Sequence, residues 1–126
     1  CYCGRHGCIE TWCSGRAFEA QYTEHKGVEL KAAEIMDLKR KGDHLAGLLW
    51  HRYIDRVARG LATVVNTLDP DVLVMGGGMS NIDELYTDLP PALARRTFST
   101  VFHTPILRNK HGDASGVRGA AWLWKD

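Results

Sequence analysis

The sequence predicts an α/β fold, helix-rich with a few strands, and three observations carry that reading. Residues 68–80 run as a turn, an apolar strand, a glycine elbow and a helix start. Residues 43–68 hold apolar side chains at three- and four-residue steps, the clearest helical pattern in the chain. Shorter helical patterns flank both, so the strand has helices available to cover it, as in a parallel sheet.

The chain opens with Cys1-Tyr2-Cys3-Gly4-Arg5-His6-Gly7-Cys8, which places three of its four cysteines in the first eight residues. Two glycines permit sharp reversals, and C-x-C-x4-C supplies three thiolates to one tetrahedral zinc. The fourth ligand is either His6 or a residue upstream of Cys1; the alternative is a glycine-rich end with reduced thiols. Cys13 lies among apolar residues and is expected in the core.

From residue 9 a helical pattern with Ile9, Trp12, Cys13, Ala17, Phe18 and Ala20 on one side runs until His25-Lys26-Gly27 ends it. Glu10 falls in its first turn. That position suits a carboxylate matched to the helix dipole, and equally an acceptor for ligand hydroxyls beside a rigid knuckle. Residues 31–41 form a short amphipathic helix with Ala32, Ile35, Met36 and Leu38 inward, closed by Gly42. Asp43 then caps the long helix, whose inward side is Leu45, Leu48, Leu49, Tyr53, Ile54, Val57, Ala58, Leu61, Ala62, Val65 and Leu68. Gly60 inside that helix costs about 1 kcal/mol against alanine, which points to close approach by a backbone, with tight helix packing the simpler cause, or by a flat ligand. His51, Arg52, Asp55, Arg56 and Arg59 read as a solvated side.

Asp69-Pro70-Asp71 stops the long helix, because proline donates no backbone bond and biases its neighbour away from helical angles. Val72 to Met75 is expected to be buried on both faces. Gly76, Gly77 and Gly78 follow at the strand's carboxyl end, where crevices collect ligands and bare backbone lets N–H groups approach a phosphate; the alternative is a plain tight turn. Ser80-Asn81-Ile82-Asp83 has the form of a capping box. Beyond it come a helix over 82–89 broken by Pro90-Pro91, a second short helix over 92–98 with Arg95 and Arg96 on the surface, and an edge strand over 104–107. His111-Gly112-Asp113 provides a turn and cap for a last helix over 114–124, rich in small residues for tight packing and anchored by Trp122, Leu123 and Trp124.

A chain of 126 residues with 16 basic and 15 acidic side chains carries a formal charge of +1, which gives no bulk attraction to nucleic acid or acidic membranes. No apolar run is long enough to span a bilayer and no signal-peptide pattern is present, so a cytoplasmic protein is expected. The start at Cys1, without methionine, fits a piece of something longer.

Cys1-Tyr2-Cys3-Gly4-Arg5-His6-Gly7-Cys8-Ile9-Glu10 resembles the zinc signature of the ROK family of bacterial sugar kinases and sugar-responsive repressors. The resemblance continues through Ser14-Gly15, Gly42-Asp43, residues 68–80 and His111-Gly112-Asp113-Ala114-Ser115-Gly116-Val117-Arg118-Gly119-Ala120-Ala121. Within the family, the details resemble most the bacterial fructokinases, also called manno(fructo)kinases. It implies an actin-like ATPase (ribonuclease H-like) fold of two lobes, with residues 1–126 as a single partial domain from the C-terminal lobe. Residues 1–10 would be the zinc knuckle and 68–80 the nucleotide-binding strand and loop.

The same resemblance implies Cys1, Cys3 and Cys8 as zinc ligands, with the fourth a histidine upstream rather than His6. It implies Glu10 as an acceptor from sugar hydroxyls, and Gly76, Gly77 and Gly78 as a loop beside the adenosine and phosphates of ATP. The family's D-x-G-G-T phosphate loop, its aspartate base and its E-x-G-H segment do not occur in these residues. No catalytic residue is therefore assigned here, and the isolated chain is expected to be inactive. The parent is expected to transfer the γ-phosphoryl of Mg-ATP to a hexose 6-hydroxyl, that of fructose first, with mannose, glucose or N-acetylglucosamine as rivals. ATP, Mg2+ and structural Zn2+ are the implied cofactors and a homodimer the implied assembly. The alternative is the sugar-binding lobe of a ROK repressor, which an intact glycine elbow disfavours.

Overall fold

A computed structural model describes all residues except Thr100, Asp113, Ala114, Lys125 and Asp126, with nothing said of the side chain of Ser115. In chain order it contains α1 (Glu10–Cys13), α2 (Gly15–Lys26), α3 (Ala32–Arg40), α4 (His44–Leu68), β1 (Leu73–Met75), a 3-10 turn (Gly78–Asn81), α5 (Glu84–Ala94), β2 (Ile106–Arg108) and α6 (Ser115–Trp122). Among the described residues, no helix is long and apolar enough to cross a membrane.

The single helix expected from residue 9 is two. Ser14 leaves helical geometry and its Oγ accepts from the Ala17 N–H at 3.1 Å, so a cap that satisfies one orphan donor starts α2 afresh. Gly27 ends α2 in the left-handed region at φ 69°, as its sequence position implied. At α3 the Glu34 carboxylate reaches back to the Lys31 N–H at 2.7 Å. Asp43 caps α4 through Ala46 N–H at 2.8 Å.

Helices α1, α2, α3 and α5 pack around α4, and its buried face holds Ala46, Leu49, Trp50, Tyr53, Ile54, Val57, Ala58, Ala62 and Val65. Leu48 and Leu68 lie outside it, 47% and 71% exposed. Trp50, absent from the expected inward set, is fully buried. Phe18 meets it edge-on at 6.0 Å and Tyr53 stacks on it at 5.5 Å between ring centroids. Its indole N–H donates to Asp88 at 2.7 Å, tying α4 to α5. Nor is the polar side of α4 merely solvated: Asp55 pairs with Arg59 and with Arg96, and Arg56 donates to Gln21 and lies 4.7 Å over the Trp12 ring.

The proline break is not observed. Helix α5 runs through Pro90 and Pro91, because Leu85, Leu89, Ala92 and Leu93 bury one continuous face on α4 and outweigh the missing backbone donors. No second helix follows over 92–98. The Ser80 capping box is also absent; a 3-10 turn takes its place and Asp83 makes no side-chain cap to α5.

The sheet has two parallel strands, with Leu73, Val74 and Met75 opposite Ile106, Leu107 and Arg108. The expected edge strand is thus β2, shifted two residues. Contrary to expectation, β1 is not buried on both faces: Val74 is 60% exposed. The anchoring role expected of Trp122, Leu123 and Trp124 is not seen either, since all three are exposed at 70% or more. The expected start of that helix at Asp113 and Ala114 lies outside the described residues.

Candidate functional site

Gly4 and Gly7 adopt φ of 76° and 73°, which turns the first eight residues into a knuckle. The sulfurs of Cys1, Cys3 and Cys8 all lie within 4.8 Å of one another, and those of Cys3 and Cys8 are 3.5 Å apart. Thiolates on a tetrahedral zinc sit about 3.8 Å apart at ordinary bond lengths, so the set fits such an ion. His6 stays outside this group. The Arg5 backbone amide, and after it the Cys8 sulfur, hold the Cys3 thiol below the usual range. Thr11 closes the knuckle onto α1 by donating both its N–H and its hydroxyl to the Cys8 carbonyl.

That junction delivers Glu10, exposed in the first turn of α1, to the mouth of a cavity of about 460 Å³. Gly76, Gly77 and Gly78, at the carboxyl end of β1, line the same cavity. The floor is apolar, with Val57, Leu61 and Val64 of α4, Met75 of β1 and Leu85 of α5. Cys13 also lines it, and burial raises its thiol, partly offset by Arg56. A second depression of about 420 Å³ shares Glu10, Ser14, Gly15, Gly78 and Met79 with the first and continues to Arg16, Glu19 and Lys31. Glu10 therefore stands where an apolar hollow meets a polar one.

A larger depression of about 620 Å³ between α2 and α3 holds neither Glu10 nor the glycines. Two of its four carboxylates are engaged, Glu19 with Lys31 and the Ala32 N–H, Glu34 with the Lys31 N–H.

A model described as the ROK family matches residues 1–126. The chain belongs to the ROK family. It is 43% identical over 123 residues to an N-acetyl-D-glucosamine kinase of Photobacterium profundum, covering 98% of this chain and 41% of that one. Among solved structures, it superposes with a TM-score of 0.80 on a ROK hexokinase from Thermus thermophilus at 32% identity, covering 96% of this chain and 41% of that one. A ROK glucokinase from Streptomyces griseus, solved with glucose and AMPPNP, gives 0.82 at 26% identity, covering 98% and 46%. The chain thus spans about two fifths of the length of the relatives it matches.

In this ROK chain the residues singled out in the sequence form two groups: three thiols in the knuckle, and Glu10 with three glycines around one cavity. Ser14 and Gly15, which belong to the ROK resemblance but were given no role by it, and Met79, which the sequence did not single out, lie where the two depressions meet. A Cβ at Gly15 would meet the Met79 sulfur at 3.1 Å, so a side chain there requires Met79 to give by a few tenths of an ångström. Gly60 also lines the cavity, and its close neighbour is the Ile9 side chain, whose Cδ1 would lie 2.8 Å from an added Cβ. Close approach was the right inference there, made by a side chain rather than by a backbone.

Proposed function

We propose that these residues are the C-terminal part of an ATP-dependent hexose kinase, acting on a sugar 6-hydroxyl. The observation that carries the reading is the single cavity lined by both Glu10 and the glycines Gly76, Gly77 and Gly78. The apolar floor suits the flat base of a nucleotide, and the glycine rim lets backbone N–H groups approach its phosphates. Glu10, at the edge of the polar depression, accepts hydrogen bonds from sugar hydroxyls, charge-assisted and so strongly directional. Fixing both substrates across one short gap is most of what phosphoryl transfer asks of a protein. The base that takes the hydroxyl proton is not assigned to any of these residues.

Cys1, Cys3 and Cys8 would hold a structural Zn2+, completed by a ligand from elsewhere in the protein, and the resulting cross-link would stiffen the approach to Glu10. Mg2+ would arrive with ATP, and no residue here is assigned to it. A cytoplasmic homodimer is the setting this reading implies.

For the sugar, the likeness to N-acetyl-D-glucosamine kinases favours N-acetyl-D-glucosamine, while the fructokinase-like motifs favour fructose. The repressor alternative has less need of an open nucleotide rim. Full-length protein assayed with Mg-ATP against N-acetyl-D-glucosamine, fructose, glucose and mannose decides: phosphorylation of at least one sugar at its 6-hydroxyl is expected, and Glu10→Gln should raise that sugar's KM at least tenfold. No turnover with any of the four would refute the reading.

A further inference from the structure

Ser80 is the fully buried polar residue of the described core, just past the glycine rim, and its hydrogen bonds run back into that rim. Its Oγ donates to the Gly77 carbonyl at 2.7 Å and its N–H donates to the same oxygen at 3.0 Å. The Asn109 Nδ2 donates to Ser80 Oγ at 3.1 Å and to the Met75 carbonyl at 2.9 Å. Because that carbonyl only accepts, the amide must present its nitrogen there. Tyr86 Oη donates to the Ser80 carbonyl at 2.7 Å, and Arg108 lies 5.0 Å over the Tyr86 ring while pairing with Asp83. Gly77 of the glycine run, Asn109 just after β2 and Tyr86 of α5 thus meet on one serine, and Asn109 links it on to Met75 of β1.

The direction of these bonds matters. A trans peptide sets its C=O and N–H on opposite sides. Drawing the Gly77 oxygen inward therefore turns the Gly78 N–H outward, and Gly78 lines both depressions. Gly77 itself holds φ 76° and ψ 178°, a conformation essentially reserved for glycine and kept only when the surroundings over-determine it. We propose that Ser80, braced by Asn109, is a positioning residue that fixes the Gly77–Gly78 peptide with its N–H toward the nucleotide phosphates. The proposal rests on the kinase reading above and adds to it a residue that touches neither substrate.

Ser80→Ala in the full-length protein removes the hydroxyl bond and leaves the Asn109 amide one acceptor short. The expected result is a KM for ATP raised about tenfold with the KM for the sugar unchanged within twofold. Asn109→Ala should raise the ATP KM about threefold, and the double variant should be no worse than Ser80→Ala, since both act through one bond. Leu89→Ala, buried in α5 away from the cavity, lowers the Tm by opening a void and should leave the ratio of the two KM values alone. Where Ser80→Ala does not fold, the Asn109→Ala ratio decides. An ATP KM within twofold of the unmodified protein, or both KM values rising together, overturns the proposal while the kinase reading stands. An unmodified protein without ATP turnover removes both.

Discussion

Three adjacent glycines look equivalent in the sequence and are not equivalent in the structure. Gly77 alone of the three has a left-handed φ, whereas an added Cβ meets nothing within 4 Å at any of them. The penalty for a side chain is therefore one of backbone strain at Gly77 and absent at Gly76. Gly77→Ala is expected to lower stability by about 1–3 kcal/mol, read by chemical denaturation, and to weaken ATP binding. Gly76→Ala should stay within about 0.5 kcal/mol. Only the ROK resemblance set the glycine run beside a nucleotide, but as an elbow the run was legible because glycines after a strand are a local signal. Which glycine needs its freedom was not, because that depends on Ser80 and on Asn109, which lies beyond the next helix. Trp50 was missed for a related reason: tryptophan with an indole N–H is an unusual core residue until a partner such as Asp88 is known.

At the scale of elements, caps and apolar periodicity located α3, α4 and the end of α2, since each such signal sits within a few residues of its effect. The errors came where distant packing overrode a local rule. Prolines at 90 and 91 should end a helix, yet the buried face from Leu85 to Leu93 carries α5 across them. Helix α5 is further held to α3 by Arg40, whose guanidinium donates to both carboxylate oxygens of Glu84 at 2.7 and 2.8 Å. That bond, more than any other influence, holds the Glu84 carboxyl below its ordinary range, and Arg40 is correspondingly raised. A depressed carboxylate contributes its stability above its unfolded pKa and loses it as pH falls through the folded value. Arg40 is half exposed, so solvent screening keeps the contribution under about 1 kcal/mol. Glu84→Gln should therefore lower the Tm by up to about 3 °C at pH 7, with the gap to the unmodified protein closing below about pH 4.5. A gap that persists at pH 3 would show that the pair is not its source.

At the scale of the whole molecule, the ROK resemblance singled out Cys1, Cys3, Cys8, Glu10 and the three glycines, and the structure brings the three sulfurs within 4.8 Å of one another and sets Glu10 and the glycines around one cavity. Exposure was misjudged at β1 and at the end of the chain's last helix. Val74 was expected to lie buried in a strand covered on both faces, and Trp122, Leu123 and Trp124 to anchor the helix, and all four are exposed. Sequence hydrophobicity says that a side chain seeks cover but not which part of a protein provides it. On the proposed kinase reading, the base that takes the hydroxyl proton is likewise not among these residues. Residues 1–126 alone, given Mg-ATP with N-acetyl-D-glucosamine or fructose, are expected to yield no sugar phosphate above a buffer blank, and measurable product would refute the absence of a base here.

The parallel pairing of β1 with β2 has a kinetic corollary. Leu73 meets Ile106 across about thirty residues of intervening chain, a long loop to close for three short rungs. Contacts of that range are slow to form, whereas α2, α3 and α4 assemble from near neighbours. Asn109, the brace of the glycine rim, arrives only with β2. The arrangement proposed to grip a phosphate is therefore expected among the last features a newly made chain completes, and among the first it gives up when the strands part.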